Sequence, residues 1–222
     1  MSKLAAWIRR LGIKRLGVAV LFLAVGVSLA ACYVPNKFKS EIRLGRNGDF
    51  ALYFKGQLTW APLARDFQRG AIKPSDAQAK IDAIKQDLQR DANFKSVESV
   101  GNGTFEVEYE REGHLEPSQQ VTFVRRNAII LMLRASPDGL ITINGQTLKP
   151  SDAQMATSMG VDVEGEFRIV TDALVKEHNA TTIKPFGPYQ VYIWSIENAF
   201  SPAPHFVMQR DGVWGGKSQE KK

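Results

Sequence analysis

Cys32 is the only cysteine in the 222-residue chain, and the residues before it suggest what its thiol is for. It closes the run Leu29-Ala30-Ala31-Cys32. An uncharged apolar stretch runs from Leu16 to Ala31, and before it stand Lys3, Arg9, Arg10, Lys14 and Arg15 with no acid. A basic n-region, an apolar h-region and a small-residue cleavage site, in that order, describe a secretory signal. As a membrane span the sixteen apolar residues fall short of the roughly 20 that a helix needs. A stop-transfer pattern would also place charge where Ala30, Ala31 and Cys32 stand. Arg9-Arg10 lacks the flank of a twin-arginine signal, which points to general secretion.

The segment resembles a bacterial lipoprotein signal with its lipobox. The resemblance implies diacylglycerol transfer to the Cys32 sulfur, signal cleavage after Ala31 and acylation of the new amino group. An odd cysteine in an oxidising envelope needs a purpose, and lipidation supplies one. Tyr33 stands where an inner-membrane retention signal would carry Asp. The expected location is therefore extracytoplasmic and membrane-anchored. It is the outer membrane if the host has two membranes, and otherwise the outer face of the cell membrane.

Other side chains form no reactive constellation. His114, His178 and His205 are far apart, and none has a partner at metal-ligand spacing. No serine sits in a nucleophile elbow, and no glycine-rich phosphate loop occurs. Glu106, Glu108 and Glu110 alternate along one strand, which reads as a solvated strand face more readily than as a calcium site. The expectation is a protein without catalytic residues, metal or cofactor. Removing residues 1–31 leaves 191 residues with 24 Lys plus Arg against 23 Asp plus Glu. The basic pI belongs mainly to the signal, so nucleic acid is not an expected partner. A chain of this length can bury one core without a disulfide.

The elements that must position a binding site read as α+β. Residues 32–38 are expected to form a short lipidated tether, 39–212 one domain and 213–222 a disordered tail. Ile42 and Leu44, then Phe50, Leu52 and Phe54, alternate with polar residues around Asn47-Gly48, a hairpin signal. Ala61 to Gln68 suggests a short helix. Ala77, Ile81, Ile84 and Leu88 lie on one helical face from Ser75 to about Arg90, with Ser75 and Gln78 at capping-box spacing. Lys73-Pro74-Ser75-Asp76-Ala77-Gln78 recurs at Lys149 to Gln154, which reads as two helix starts of the same design. Phe105–Tyr109, Val121–Val124, Ala128–Leu133, Leu140–Ile143, Val161–Ile169 and Tyr189–Glu197 read as strands, with turns at Gly101-Asn102-Gly103, Pro137-Asp138-Gly139 and Asn144-Gly145. Together they predict a twisted, mostly antiparallel sheet of seven to nine strands with two or three helices packed on it.

Three stretches resemble the LppM-type domain of bacterial envelope lipoproteins: Gly165-Glu166-Phe167-Arg168-Ile169, Val175-Lys176-Glu177-His178-Asn179 and Tyr189–Trp194. The hairpin at Ile42–Phe54 is similar to that family's opening. The resemblance implies an extracytoplasmic α+β domain shaped like lipid-binding folds, with no catalytic residues to carry over. Many such proteins add a C-terminal membrane helix, which this sequence lacks after Trp194. Ile129–Leu133 is apolar on both faces, and aromatics occupy the neighbouring strands. Trp60, Met132 and Trp194 are accordingly expected near an apolar cavity for a lipid or glycolipid. The alternative is a structural or protein-interaction module binding through a sheet edge. An apolar pocket above about 300 Å³ favours the first reading and a solid core the second.

Overall fold

The computed structural model describes residues 33–125 and 128–211. Cys32, the Ala31 cleavage position and the C-terminal segment from 213 lie outside the described residues. Within them the α+β class holds, with three helices and twelve strands in two mostly antiparallel sheets. None of these helices is long and apolar enough to cross a membrane.

The strands are β1 (Tyr33–Leu44), β2 (Asp49–Trp60), β3 (Phe94–Gly101), β4 (Thr104–His114), β5 (Gln120–Arg125), β6 (Ala128–Ala135), β7 (Leu140–Gly145), β8 (Gly165–Thr171), β9 (Leu174–His178), β10 (Thr182–Phe186), β11 (Tyr189–Ile196) and β12 (His205–Gln209). Seven form one sheet in the order β10-β11-β8-β1-β2-β4-β3, and five form the other in the order β5-β6-β7-β12-β9. The expected single sheet is thus two. One face of each sheet lines a shared core, including Ile42, Leu52, Phe105 and Ile169 from the first and Phe123, Leu133, Ile143 and Phe206 from the second. The opposite face of the seven-stranded sheet carries Lys39, Glu41, Arg43, Tyr53, Lys55, Glu108 and Arg168, as period-two alternation requires. Glu106, Glu108 and Glu110 lie on this solvated face, and Lys55 pairs with Glu108.

The expected tether is overturned. Tyr33 to Asn36 pair with Trp60 to Gln57, and Tyr33 and Val34 are buried. Their apolar side chains have a neighbouring strand and a small core to bury against, so the chain enters the sheet at once. Val161 and Val163 are buried but precede β8 rather than belonging to it. Asn144-Gly145 is not a turn: Asn144 pairs with Met132 and His205, and Gly145 with Leu131.

The helices are α1 (Ala61–Gln68), α2 (Pro74–Gln89) and α3 (Pro150–Ser158). Ala77 and Leu88 of α2 are buried, and Ile81 and Ile84 are partly buried against the main core. The capping box at Ser75 does not form. Both copies of the repeated hexapeptide start a helix with Lys73 or Lys149 as an extended N-cap and proline in the first turn, and neither cap has a side-chain hydrogen bond. The residue before proline is forced extended and proline's fixed φ suits the first turn, so Lys-Pro alone sets these boundaries. A second, smaller cluster unites Val34 of β1, Ala153 and Ala156 of α3, Val161, Val163 and Ala199.

Candidate functional site

An apolar slot opens between the two sheets at the end of β1 where the described chain begins. Its walls include Phe38, Phe54, Phe123, Leu131, Phe167 and Ile196, and its rim is the segment Asn198–Pro204 between β11 and β12. Among the described residues no ionisable one lines it. Ser40, one of its few polar residues, donates to the Tyr53 carbonyl at 2.9 Å. The space inside is about 80 Å³, well short of the ordinary range of roughly 300–1,000 Å³ for ligand pockets.

A bulge in β1 aims Phe38 into this slot. Between Asn36 and Lys39 the register with β2 shifts, so Lys37 and Phe38 together oppose Gly56. On the other side Phe38 pairs with Gly165 of β8. A Cβ on Gly56 would lie 2.5 Å from the Phe38 Cα, and one on Gly165 would lie 2.5 Å from its Cδ1. Glycine on both flanks is what lets the ring and its backbone fit. Phe38 stacks on Phe54 at 5.6 Å, and Phe54 meets Phe123 at 4.8 Å. The slot thus joins aromatic residues from both sheets.

The rim segment is fixed at its C-terminal root by Asn179, which follows β9. Its Oδ1 accepts Trp194 Nε1–H at 2.7 Å and the His205 amide at 2.7 Å, and its Nδ2 donates to the Ala203 carbonyl at 2.9 Å. The Gly145 amide also donates to the Pro204 carbonyl at 2.8 Å. Within the segment, Ser201 Oγ accepts the Glu197 and Asn198 amides, and Asn198 Oδ1 accepts that of Phe200. Ala199 is buried in the smaller cluster, while Phe200 is 57% exposed.

The three expected ligand-binding residues do not converge, and none lines the slot. Trp194 is buried behind the wall, 5.3 Å from the Phe167 ring and 6.4 Å from Phe206. Trp60 packs against Tyr33 at 4.7 Å at the end of β2. Met132 sits half-buried between Thr122 and Asn144, on the face of β6 turned from Leu131 and Leu133. Strand alternation separates Met132 from its apolar neighbours, which the composition of Ile129–Leu133 could not reveal. Ile130 and Leu131 of that strand do reach the slot. The signal for Phe38, the glycine pair and the Asn179 contacts was absent from local pattern, because each depends on strands distant in sequence.

Among the described residues no group of three His, Cys, Asp or Glu side chains converges as a metal site would require. His114 Nδ1 lies 2.6 Å from Asp49 and its Nε2 2.9 Å from Arg210. The His114 contact holds the Asp49 carboxyl below its usual range. His178 packs on Tyr192 at 4.9 Å, and His205 lies 2.7 Å from the Asn144 side chain. Burial pushes the Tyr192 hydroxyl up. These histidines serve three separate local contacts.

No family model matches the chain, and no curated protein matches it. Among solved structures, the chain is similar to the NMR structure of the folded domain of the Mycobacterium tuberculosis LppM protein, at 9% identity and a TM-score of 0.37. The match covers 83% of this chain and 94% of that one. A likeness of this size concerns fold alone and carries no residue role or ligand across.

Proposed function

We propose that this chain is a lipid-anchored envelope protein that takes the apolar end of an amphiphile, a lipid or glycolipid, into the slot between its sheets. The observation that carries the reading is the position of that slot. It lies beside Pro35 and Phe38, a few residues from Cys32, so an anchor on Cys32 sets its mouth toward the bilayer. The described lining offers apolar contact and no charge, which suits an acyl or prenyl chain. About 80 Å³ cannot enclose such a chain, so binding requires the segment 198–202 to swing outward about the root held at Ala203 and Pro204. Its internal hydrogen bonds are local and travel with it. Ala199, its buried residue, would leave the smaller cluster. The role is carriage or sensing, with no catalytic step.

A protein-interaction module is the second reading, favoured by the closed state of the slot. Pairing through a sheet edge fits it poorly. The edge strand β10 contains Pro185, β3 has register shifts at Phe94/Ser96 and Ser99/Gly101, and β9 joins β12 across another. Proline and bulges at edges oppose strand addition.

Two experiments separate the parts of this proposal. Cys32→Ser should leave an unprocessed precursor, and mass spectrometry of the wild-type N-terminus should find a diacylglyceryl cysteine; normal processing of the variant refutes the anchor. For the slot, residues 33–211 purified from envelope-bearing cells should carry an amphiphile visible in native mass spectra. Ile196→Trp, which fills the slot, should remove it while the protein still melts cooperatively. Absence of any adduct, together with no saturable thermal shift by monomeric phospholipid or glycolipid, would leave the interaction module as the function.

A further inference from the structure

We propose a second binding site for a neutral glycan chain, in the open groove on the solvent face of the seven-stranded sheet. This groove has a volume of about 850 Å³ and is lined by Glu41, Arg43, Arg168, Tyr189, Val191 and Phe186, among others. It lies at the Leu44–Gly45 end of β1. Eleven residue steps along an extended strand put it roughly 35 Å from Tyr33. It therefore points away from an anchor on Cys32, and it is separate from the slot.

The chemistry of its floor selects the ligand. Both arginines are already neutralised on their own strands. Arg43 Nε lies 2.9 Å from Glu41, and Arg168 contacts Glu166 at 2.7 and 2.6 Å. The Arg43 guanidinium also sits 5.5 Å from the Tyr53 ring centroid, and the Tyr53 hydroxyl donates to Glu112 at 3.3 Å. Among the described residues an anionic ligand meets no uncompensated cation here, and the one carboxylate without a cation, Glu112, is held by the Tyr53 hydroxyl and can accept further hydrogen bonds. A neutral ligand fits this balance if it both donates and accepts many hydrogen bonds. Guanidinium groups retain further N–H donors and carboxylates further acceptor sites after one pairing. Sugar hydroxyls use both kinds.

One wall is apolar and exposed. Phe186 is 68% exposed and Tyr189 41%, and the two are direct cross-strand partners on the β10–β11 hairpin. Val170 and Val191, also paired, continue this wall toward the arginines. The C–H face of a pyranose packs on such a surface while its hydroxyls reach the polar floor. Aromatic rings exposed at this level on a rigid sheet mark a contact surface more readily than a core. The floor is built on β1, β2, β8 and β11, so little ordering is lost on binding.

The test uses the full chain in detergent micelles and a panel of neutral oligosaccharides of two to six sugars, built from glucose, mannose, galactose or N-acetylglucosamine. Phosphorylated and carboxylated counterparts run beside them in titration calorimetry. Saturable binding of a neutral member is expected. Tyr189→Ala and Phe186→Ala should each weaken it about ten-fold, the worth of one aromatic contact, with unchanged melting. Arg168→Gln should weaken it too, while Phe200→Ala at the slot should not. Slot-filling by Ile196→Trp should leave glycan binding intact, so the two sites fail separately. Binding by no neutral member, binding confined to the anionic members, or binding indifferent to Tyr189 and Phe186 overturns the proposal.

Discussion

Tyr109 carries a conflict at the scale of one residue. Its ring packs against Phe94 at 5.0 Å and Phe123 at 4.7 Å, and the residue is 1% exposed. Its hydroxyl is buried and makes no hydrogen bond of good geometry among the described residues, although the Asp91 and Arg111 side chains lie close enough to act on it. Burial pushes that hydroxyl up. Tyr109→Phe keeps the ring and removes the unsatisfied oxygen, so it should be neutral or stabilise by up to about 1 kcal/mol, measured by denaturant unfolding. Asp172 is the opposite case. Its carboxylate accepts Arg46 Nε–H at 2.7 Å and the Arg46 amide at 3.0 Å, which holds it below the usual aspartate range. A depressed folded value means that the contact stabilises at neutral pH and is lost as pH falls through that value. Melting temperature should therefore drop below about pH 4. In Asp172→Asn the melting temperature should start lower at pH 7 and fall less steeply in acid. An unchanged acid limb in that variant would show that the ion pair is only a surface ornament.

Among the elements, the bulge of β1 and the contacts of Asn179 shape the slot. Gly56→Ala places a methyl group against the Phe38 backbone and should cost about 3 kcal/mol. Gly70→Ala, with nothing within 4 Å of its added carbon, should cost about 1 kcal/mol for its left-handed conformation alone. Equal costs would mean that the Phe38 wedge is not tight. Asn179→Ala strands the buried Trp194 N–H and frees Ala203, so it should cost about 1–3 kcal/mol and make Asn198–Pro204 the first site of limited proteolysis. Legibility in the sequence followed the same division. The faces of α2, β1, β2 and β4 were readable because repeated apolar spacing follows one sheet or helix face. β10 was not, because all five of its residues are exposed and one is proline. β9, mostly exposed, and the short β12 carry no alternating run of apolar and polar residues that would mark them as strands. Asn179 and Trp194 stand 15 residues apart, and no local spacing shows that they are bonded to each other.

For the whole molecule, the described chain is already in strand at its first residue, Tyr33. A chain of residues 33–211 should melt in one cooperative transition, insensitive to reductant and chelator, because its core spans both sheets. Starting at residue 39 deletes Tyr33, Val34 and Phe38, all buried, and should lower the melting temperature by well over 10 °C or prevent folding. Equal stability of the two would restore residues 33–38 to the role of a tether. The division into two sheets is not legible in the strand pattern, because alternation reports that one face is buried without saying which strands share a sheet.

The immediate start of β1 has a mechanical consequence. This strand lies between β2 and β8, in the interior of its sheet. A force applied at Tyr33 and opposed at the Leu44 end of the strand acts along the strand axis. The hydrogen bonds to both neighbours then carry tension side by side, in shear, instead of opening one after another like a zipper. A domain gripped this way resists sustained stretching, and it transmits force from the Tyr33 end of β1 to the Leu44 end as a stiff strut.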